Sequence, residues 1–151
     1  MRVIIAGGRD FTDFDYFKAY MNTIPPWVEI TEVVSGGATG VDSLAIEWAT
    51  MYNIPYKVFH AEWDRLGKRA GPIRNAEMAV YGDGLIAFWN GESKGTKNMI
   101  DQMARKGTWI YVVRTDIPWC KEFKTTIHNG KSYKDPILNN VHVWNPNERT
   151  A

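Results

Sequence analysis

The sequence predicts an α/β fold: a Rossmann-like parallel sheet flanked by helices, with a small β-rich C-terminal appendage. Three observations carry this. Short apolar, β-branched runs alternate with stretches of helical period from residue 3 to residue 113, the pattern of a parallel sheet covered on both faces. Each glycine-bearing loop follows an apolar run, where the carboxyl ends of parallel strands would lie. Beyond Arg114 the pattern changes, and Asn129-Gly130 carries the chemistry of a tight hairpin turn.

The elements follow in order. Val3 to Ala6 reads as a buried strand ended by Gly7 and Gly8. Phe14, Phe17, Met21 and Ile24 share a helical face. Thr12 or Asp13 can cap that helix, and Pro25 and Pro26 stop it. Ile30 to Ser35 is a second strand, followed by glycines and a helix to about Tyr52, with Asn53 as its exit. Tyr56 to Phe59 is a third strand and 60–71 a polar loop. Pro72 suits the first turn of the next helix, where its missing N–H costs nothing; that helix ends near Gly82. Leu85 to Trp89 is a fourth strand. A helix through Met99, Ile100 and Met103 follows, leaving at Lys106-Gly107. Trp109 to Val113 is a fifth strand and Val141 to Trp144 a last short one. Right-handed crossovers make the arrangement Rossmann-like. Residues 1–114 are read as the core and 115–151 as an appendage of the same domain.

Bulk properties narrow the function classes. The 151 residues suffice for one domain with a real core, and 44% hydrophobic with 23% charged residues is ordinary globular composition. A formal net charge of +1 does not suit a basic nucleic-acid coat. Cys120 is the only cysteine, which excludes an internal disulfide and a cysteine zinc cluster; as a redox switch it has less support than as inert packing. The N-terminus turns polar too early for a secretory signal, and no apolar run approaches the roughly 20 residues of a membrane helix. The expectation is a soluble, cytoplasmic protein without membrane attachment. Seven Trp make stacking on planar ligands available.

Four loops converge on one rim of such a sheet: GGRDF (7–11), SGGATGVD (35–42), HAEWDRLGKRAGP (60–72) and NGESKGTK (90–97). In the second, glycines let backbone N–H groups approach a ligand, and the following helix aims its positive end at the rim. The pattern is neither GxGxxG nor a Walker loop. Alone, it leaves phosphate binding and a tight structural corner evenly matched. Asp42 is either a cap for first-turn donors or an acceptor for a ribose hydroxyl or base edge. Gly91 and Gly95 leave room for backbone approach, Ser93 and Thr96 offer hydroxyls, and Lys94 and Lys97 offer charge; Thr96 also suits an N-cap. Lys68, Arg69 and Arg74 surround a helix start, where cations fail to complement the dipole and anionic company would help. Trp63, in a polar loop, is a better stacking candidate than Trp89 at a strand end. His60 reads as an ordinary polar residue, with no Ser/Cys–Asp pairing for a triad. Asp10, Asp13 and Asp15 read as helix entry. No cofactor is obligatory, and Mg²⁺ enters only as a companion of ligand phosphates.

Together these loops resemble the SLOG superfamily, specifically its YspA-like, cpYpsA-related branch. The matching stretches are GGRDF, SGGATGVDSLA, GKRAGPIRNAEM and WNGESKGTKNMID, within residues 1 to about 114. The second and third also look like motifs of the DNA-processing DprA proteins. The resemblance implies a Rossmann-like fold and a nucleotide or nucleotide-derived ligand at the rim. By matching position, its expected pocket residues are Gly8, Arg9, Gly36, Gly37, Thr39, Asp42, Arg69, Arg74, Asn75, Ser93, Gly95 and Thr96. The LOG relatives, which hydrolyse a nucleotide N-glycosidic bond, have a PGGxGTxxE loop; here Met99 stands at the Glu position, and a thioether cannot act as a base. Asp101, two residues on, lies about 200° further round the helix. Asp42 or Glu77 would have to supply the carboxylate.

Three functions are therefore expected, in this order. The first is a sensor or sequestering protein for a nucleotide-derived signal, cyclic or ADP-ribose-like, with a role in virus–host defence signalling fitting the family. The second is a nucleotide N-glycosidic hydrolase. The third is a DprA-type single-strand nucleic-acid binder, which the near-neutral charge disfavours. A homo-oligomer is expected, with Trp119, Phe123, Tyr133 and Trp144 available to cover a partner or the pocket.

Overall fold

The computed structural model describes residues 1–117, 122–137 and 140–145. The elements are β1 (Arg2–Gly7), α1 (Phe14–Met21), β2 (Glu32–Ser35), α2 (Val41–Met51), β3 (Tyr56–Val58), α3 (Trp63–Leu66), α4 (Ala70–Tyr81), β4 (Gly84–Trp89), α5 (Lys94–Lys106), β5 (Trp109–Arg114), β6 (Glu122–His128), β7 (Lys131–Ile137) and β8 (Val141–Trp144). A single 3-10 turn, Gly67–Arg69, leads into α4.

The main sheet has the order β3-β2-β1-β4-β5-β8. Its first five strands are parallel, with Val3 opposite Val33 and Gly7 opposite Phe88. Strand β8 runs antiparallel to β5, Val113 facing Val141. The fold is thus α/β and Rossmann-like, with a mixed rather than purely parallel sheet. Strands β6 and β7 pair as a separate hairpin. Its turn residues Asn129 and Gly130 both have positive φ, 51° and 74°, as a two-residue turn of matching twist requires.

Alternation along each strand feeds two cores. Val3, Ile5, Val33, Ile86 and Phe88 face α1 and α2, packing on Phe17, Tyr20, Leu44 and Trp48. Ile4, Ala6, Val34, Leu85 and Ala87 face α4 and α5, packing on Met78, Met99 and Met103. Full burial of one large side chain such as Phe17 contributes about 1.5–3 kcal/mol. The helices between β1 and β3 cover one face and those between β3 and β5 the other. The winding therefore reverses between β1 and β4, and a crevice opens beyond their carboxyl ends.

Local signals explain the boundaries. Asp13 caps α1, its Oδ1 accepting from Tyr16 N–H at 3.0 Å. Ser93, not Thr96, caps α5: Ser93 Oγ accepts from Thr96 N–H at 3.4 Å. Gly107 ends α5 at φ 82°, and Arg105 and Lys106 suit its negative end. Three boundaries depart from the expectation. Helix α1 stops at Met21, because Thr23 and Ile24 continue as tight turns before Pro25. Strand β2 begins at Glu32, not Ile30. The expected loop 60–71 holds the one-turn α3 and the 3-10 turn, both too short to leave a period in the sequence. Trp119 and Cys120, and the side chains of Phe123 and Tyr133, lie outside the described residues. No helix among the described residues is long and apolar enough to cross a membrane.

Candidate functional site

The crevice beyond β1 and β4 is a cleft of about 990 Å³, at the upper end of the range for small-molecule sites. Of the expected residues, Gly8, Arg9, Asp42, Trp63, Lys68, Arg74, Asn75, Ser93, Lys94, Gly95 and Thr96 line it. Gly36, Gly37 and Thr39 instead line a smaller neighbouring cavity of about 370 Å³, together with His60. Arg69 lines neither: it is exposed on the 3-10 turn, which carries it away from its neighbour Lys68. Trp89 also stays outside both, its Nε1–H donating to Ser93 O at 3.1 Å. Glu77 and Asp101 line neither cavity, and Asp101 pairs with Lys97 at 2.8 Å.

The β2–α2 loop is wired to the protein itself. Gly37 N–H donates to Ser35 Oγ at 3.2 Å, Ala38 N–H to Asp42 Oδ2 at 3.2 Å, and Val41 N–H to Gly8 O at 3.2 Å. Asp42 reaches back to hold the loop; no side chain caps α2, whose N-cap is Gly40. Arg74 crosses from α4 and donates Nη1–H to Gly36 O at 2.7 Å. A Cβ on Gly36 would stand 2.6 Å from Arg74 Cζ and 2.8 Å from Asp42 Oδ2, so this glycine exists to admit them.

The charges in this corner are constrained. Burial holds the Asp42 carboxyl above the ordinary carboxylate range, against the opposing pull of Ala38 N–H, Arg74 and Arg9. Burial lowers the pKa of Arg74; Asp42 opposes this and Arg9 adds to it. Arg9 lies over the Trp63 ring, Cζ 5.0 Å from the centroid. Trp63 is 45% exposed and lines both cavities.

Asn75 is a bracket. Its Oδ1 accepts from Arg74 Nε–H, and its Nδ2 donates to Gly95 O and Asn98 Oδ1. Buried to 5% exposure, it ties the arginine to the start of α5. Asn98 was not expected at the site. Its Oδ1 also accepts from Gln102, its Nδ2 has no partner among the described residues, and the residue lines the cleft. The signal was available: Asn98 follows Lys94 by four residues and so shares its helix face. Phe11, Met78 and Met99 supply apolar lining; of the three, the sequence singles out only Met99, for its place at the LOG Glu position.

Gly8 and Gly95 stand apart from the other glycines. Every other glycine in the chain has a positive φ or would push a Cβ to within 3.4 Å of a neighbour. At Gly8 and Gly95 the backbone is ordinary and a Cβ would meet nothing within 4 Å. Both line the cleft.

Among the described residues, no group of three or more His, Cys, Asp or Glu side chains comes together as a metal site.

Fold and cleft define a class: a Rossmann-like α/β protein with a crevice of mixed polar and apolar lining at its topological switch point. The chain belongs to the YspA, cpYpsA-related SLOG family, whose model matches residues 1–66. It is also 33% identical, over 116 residues, to the Gene 61 protein of Mycobacterium phage D29, a match covering 70% of this chain and 90% of that relative. No solved structure matches significantly.

Proposed function

We propose that the protein binds a nucleotide or nucleotide-derived signalling ligand in the main cleft, as a sensor or sequestering protein. The observation that carries this is the pair Gly8 and Gly95. Nothing in the fold requires glycine at either position, yet both face the cleft and keep its walls open to close approach. Lys68, Lys94 and the exposed N-terminal turn of α5 favour an anionic group there, and Asn98, with its Nδ2 unpaired among the described residues, adds an amide donor to the lining. Family membership supports a nucleotide-related ligand. In this reading the protein works in the cytoplasm as a homo-oligomer, without nucleic acid, and Mg²⁺ enters only with ligand phosphates. A calorimetric and thermal-shift panel of mononucleotides, cyclic dinucleotides and ADP-ribose derivatives tests the binding; silence across the panel refutes it. Native mass spectrometry of protein from its natural host tests the assembly.

A second reading, nucleotide N-glycosidic hydrolysis, is favoured by one feature. Asp42 is a cleft carboxyl whose pKa burial raises, the setting of a general acid. Against it, the buried thioether of Met99 occupies the position of the LOG carboxylate. Chromatography for a released base distinguishes the two: no turnover of any ligand that binds rejects hydrolysis.

A further inference from the structure

The main cleft and the smaller cavity share a wall. Arg9, Ala38, Trp63 and Arg74 line both, so the boundary between the two spaces is two guanidiniums and an indole. Among the described residues neither guanidinium has a carboxylate within ion-pair distance. Arg74 Nη1 is tied to Gly36 O and Phe59 O and its Nε to Asn75, while Nη2 has no partner among the described residues. Arg9 only overlies Trp63. Asp42, beyond ion-pair distance of both, offsets part of this charge, and the free donors that remain on one wall favour an anion between them.

The two spaces differ in charge. Asp10, Asp42 and Glu92 line the main cleft, whereas no carboxylate among the described residues lines the smaller cavity, which continues past Thr39, His60 and Ala61. A mononucleotide held in the main cleft leaves that second space unused. A ligand spanning both would set its midpoint against the arginines, so its midpoint should be its anionic part.

We infer that the ligand is a two-unit nucleotide joined through an internal phosphate. One unit fills the main cleft, the linking phosphate lies against Arg9 and Arg74, and the second unit enters the cavity beside His60 and Ala61. This rests on the proposed function and narrows its ligand class.

The test is titration calorimetry on the full chain with three probe sets covering the four common bases: nucleoside 5′-monophosphates, dinucleoside monophosphates and dinucleoside diphosphates. The best two-unit probe should bind at least about tenfold tighter than the best mononucleotide, which is about 1.4 kcal/mol. Ala61→Phe, which fills only the smaller cavity, should remove that advantage and leave mononucleotide affinity in place. Equal affinities for one-unit and two-unit probes overturn the inference while the proposed function stands. So does an equal loss for both probe classes in a folded Ala61→Phe protein. Should that variant not fold, the wild-type probe series decides alone. Absence of binding by every probe overturns the inference and the proposed function together.

Discussion

The β2–α2 and β4–α5 turns are both glycine-bearing passages from strand to helix on one rim, both tied by hydrogen bonds to the protein itself, and they differ in what surrounds their glycines. In the first, Ser35, Asp42 and Arg74 take up the loop's own N–H and C=O groups, and Gly36 is hollowed out to admit them. In the second, Ser93 caps the helix, and Gly95 faces open space. The denser motif is architecture that holds Arg74 in place. The plainer one leaves room for a ligand. Glycine density reports backbone constraint, which comes from ligands and from packing alike, so only the surroundings of each missing Cβ tell the two apart.

Substitutions can break this contrast. Gly36→Ala should have the largest effect on stability, costing about 1–3 kcal/mol by overpacking, because its methyl displaces the Arg74 guanidinium. Chemical denaturation measures this, and a neutral result would return the β2–α2 loop to the ligand. Asn75→Ala should follow, at about 1–2 kcal/mol, since it strands the half-buried Arg74 Nε and leaves Gly95 O without its partner. Any ligand affinity should fall with it, although Asn75 has no donor left for a ligand; Asn98→Ala should lower affinity too, and also cost stability, since it strands one hydrogen of the buried Asn75 Nδ2.

Asp42→Asn should have a smaller, pH-dependent effect. The folded pKa of Asp42 lies above its ordinary value of 3.8, so ionisation destabilises the folded state. The wild type therefore keeps its full stability from this group below that value and loses some as pH rises through the folded pKa. The variant should match the wild type at low pH and gain on it towards neutrality. Melting temperatures across the pH range check the sign; a variant that falls behind at neutral pH would make the carboxylate's longer-range attraction to Arg74 and Arg9 the dominant effect. Smallest on stability is Gly95→Ala, which should stabilise α5 by about 0.5–1 kcal/mol through backbone entropy. Ligand affinity should nonetheless drop at least about tenfold. Stabilisation with undiminished affinity would remove the argument from Gly8 and Gly95.

The fold was legible because period and punctuation agree: alternating strands such as Val3–Ile5 and the Asn129-Gly130 turn leave few alternatives. The convergence of four loops was legible from chain order alone. What the sequence could not show was direction. Lys68 and Arg69 are neighbours, but the 3-10 turn presents only Lys68 to the cleft. Gly36, Gly37 and Thr39 share a motif with Asp42, yet line a different cavity, because Arg74 stands between. Asn75 matched a motif whose residues line a pocket, and its role there is to brace. These facts depend on hydrogen bonds between residues 20 to 38 positions apart, which no local pattern encodes.

Strand β8 has a consequence for the life of the molecule in crowded solution. Strand β5 is almost wholly buried and apolar, and among the described residues its outer row of N–H and C=O groups is matched by β8 and by Asn140 just before it. Uncovered, that row would be a template for any passing extended chain. At the opposite margin β3 offers three residues, with Lys57 at its centre, and makes a poor template. A chain cut before residue 141 would keep every residue of the two cavities and still be expected to stick to its own copies.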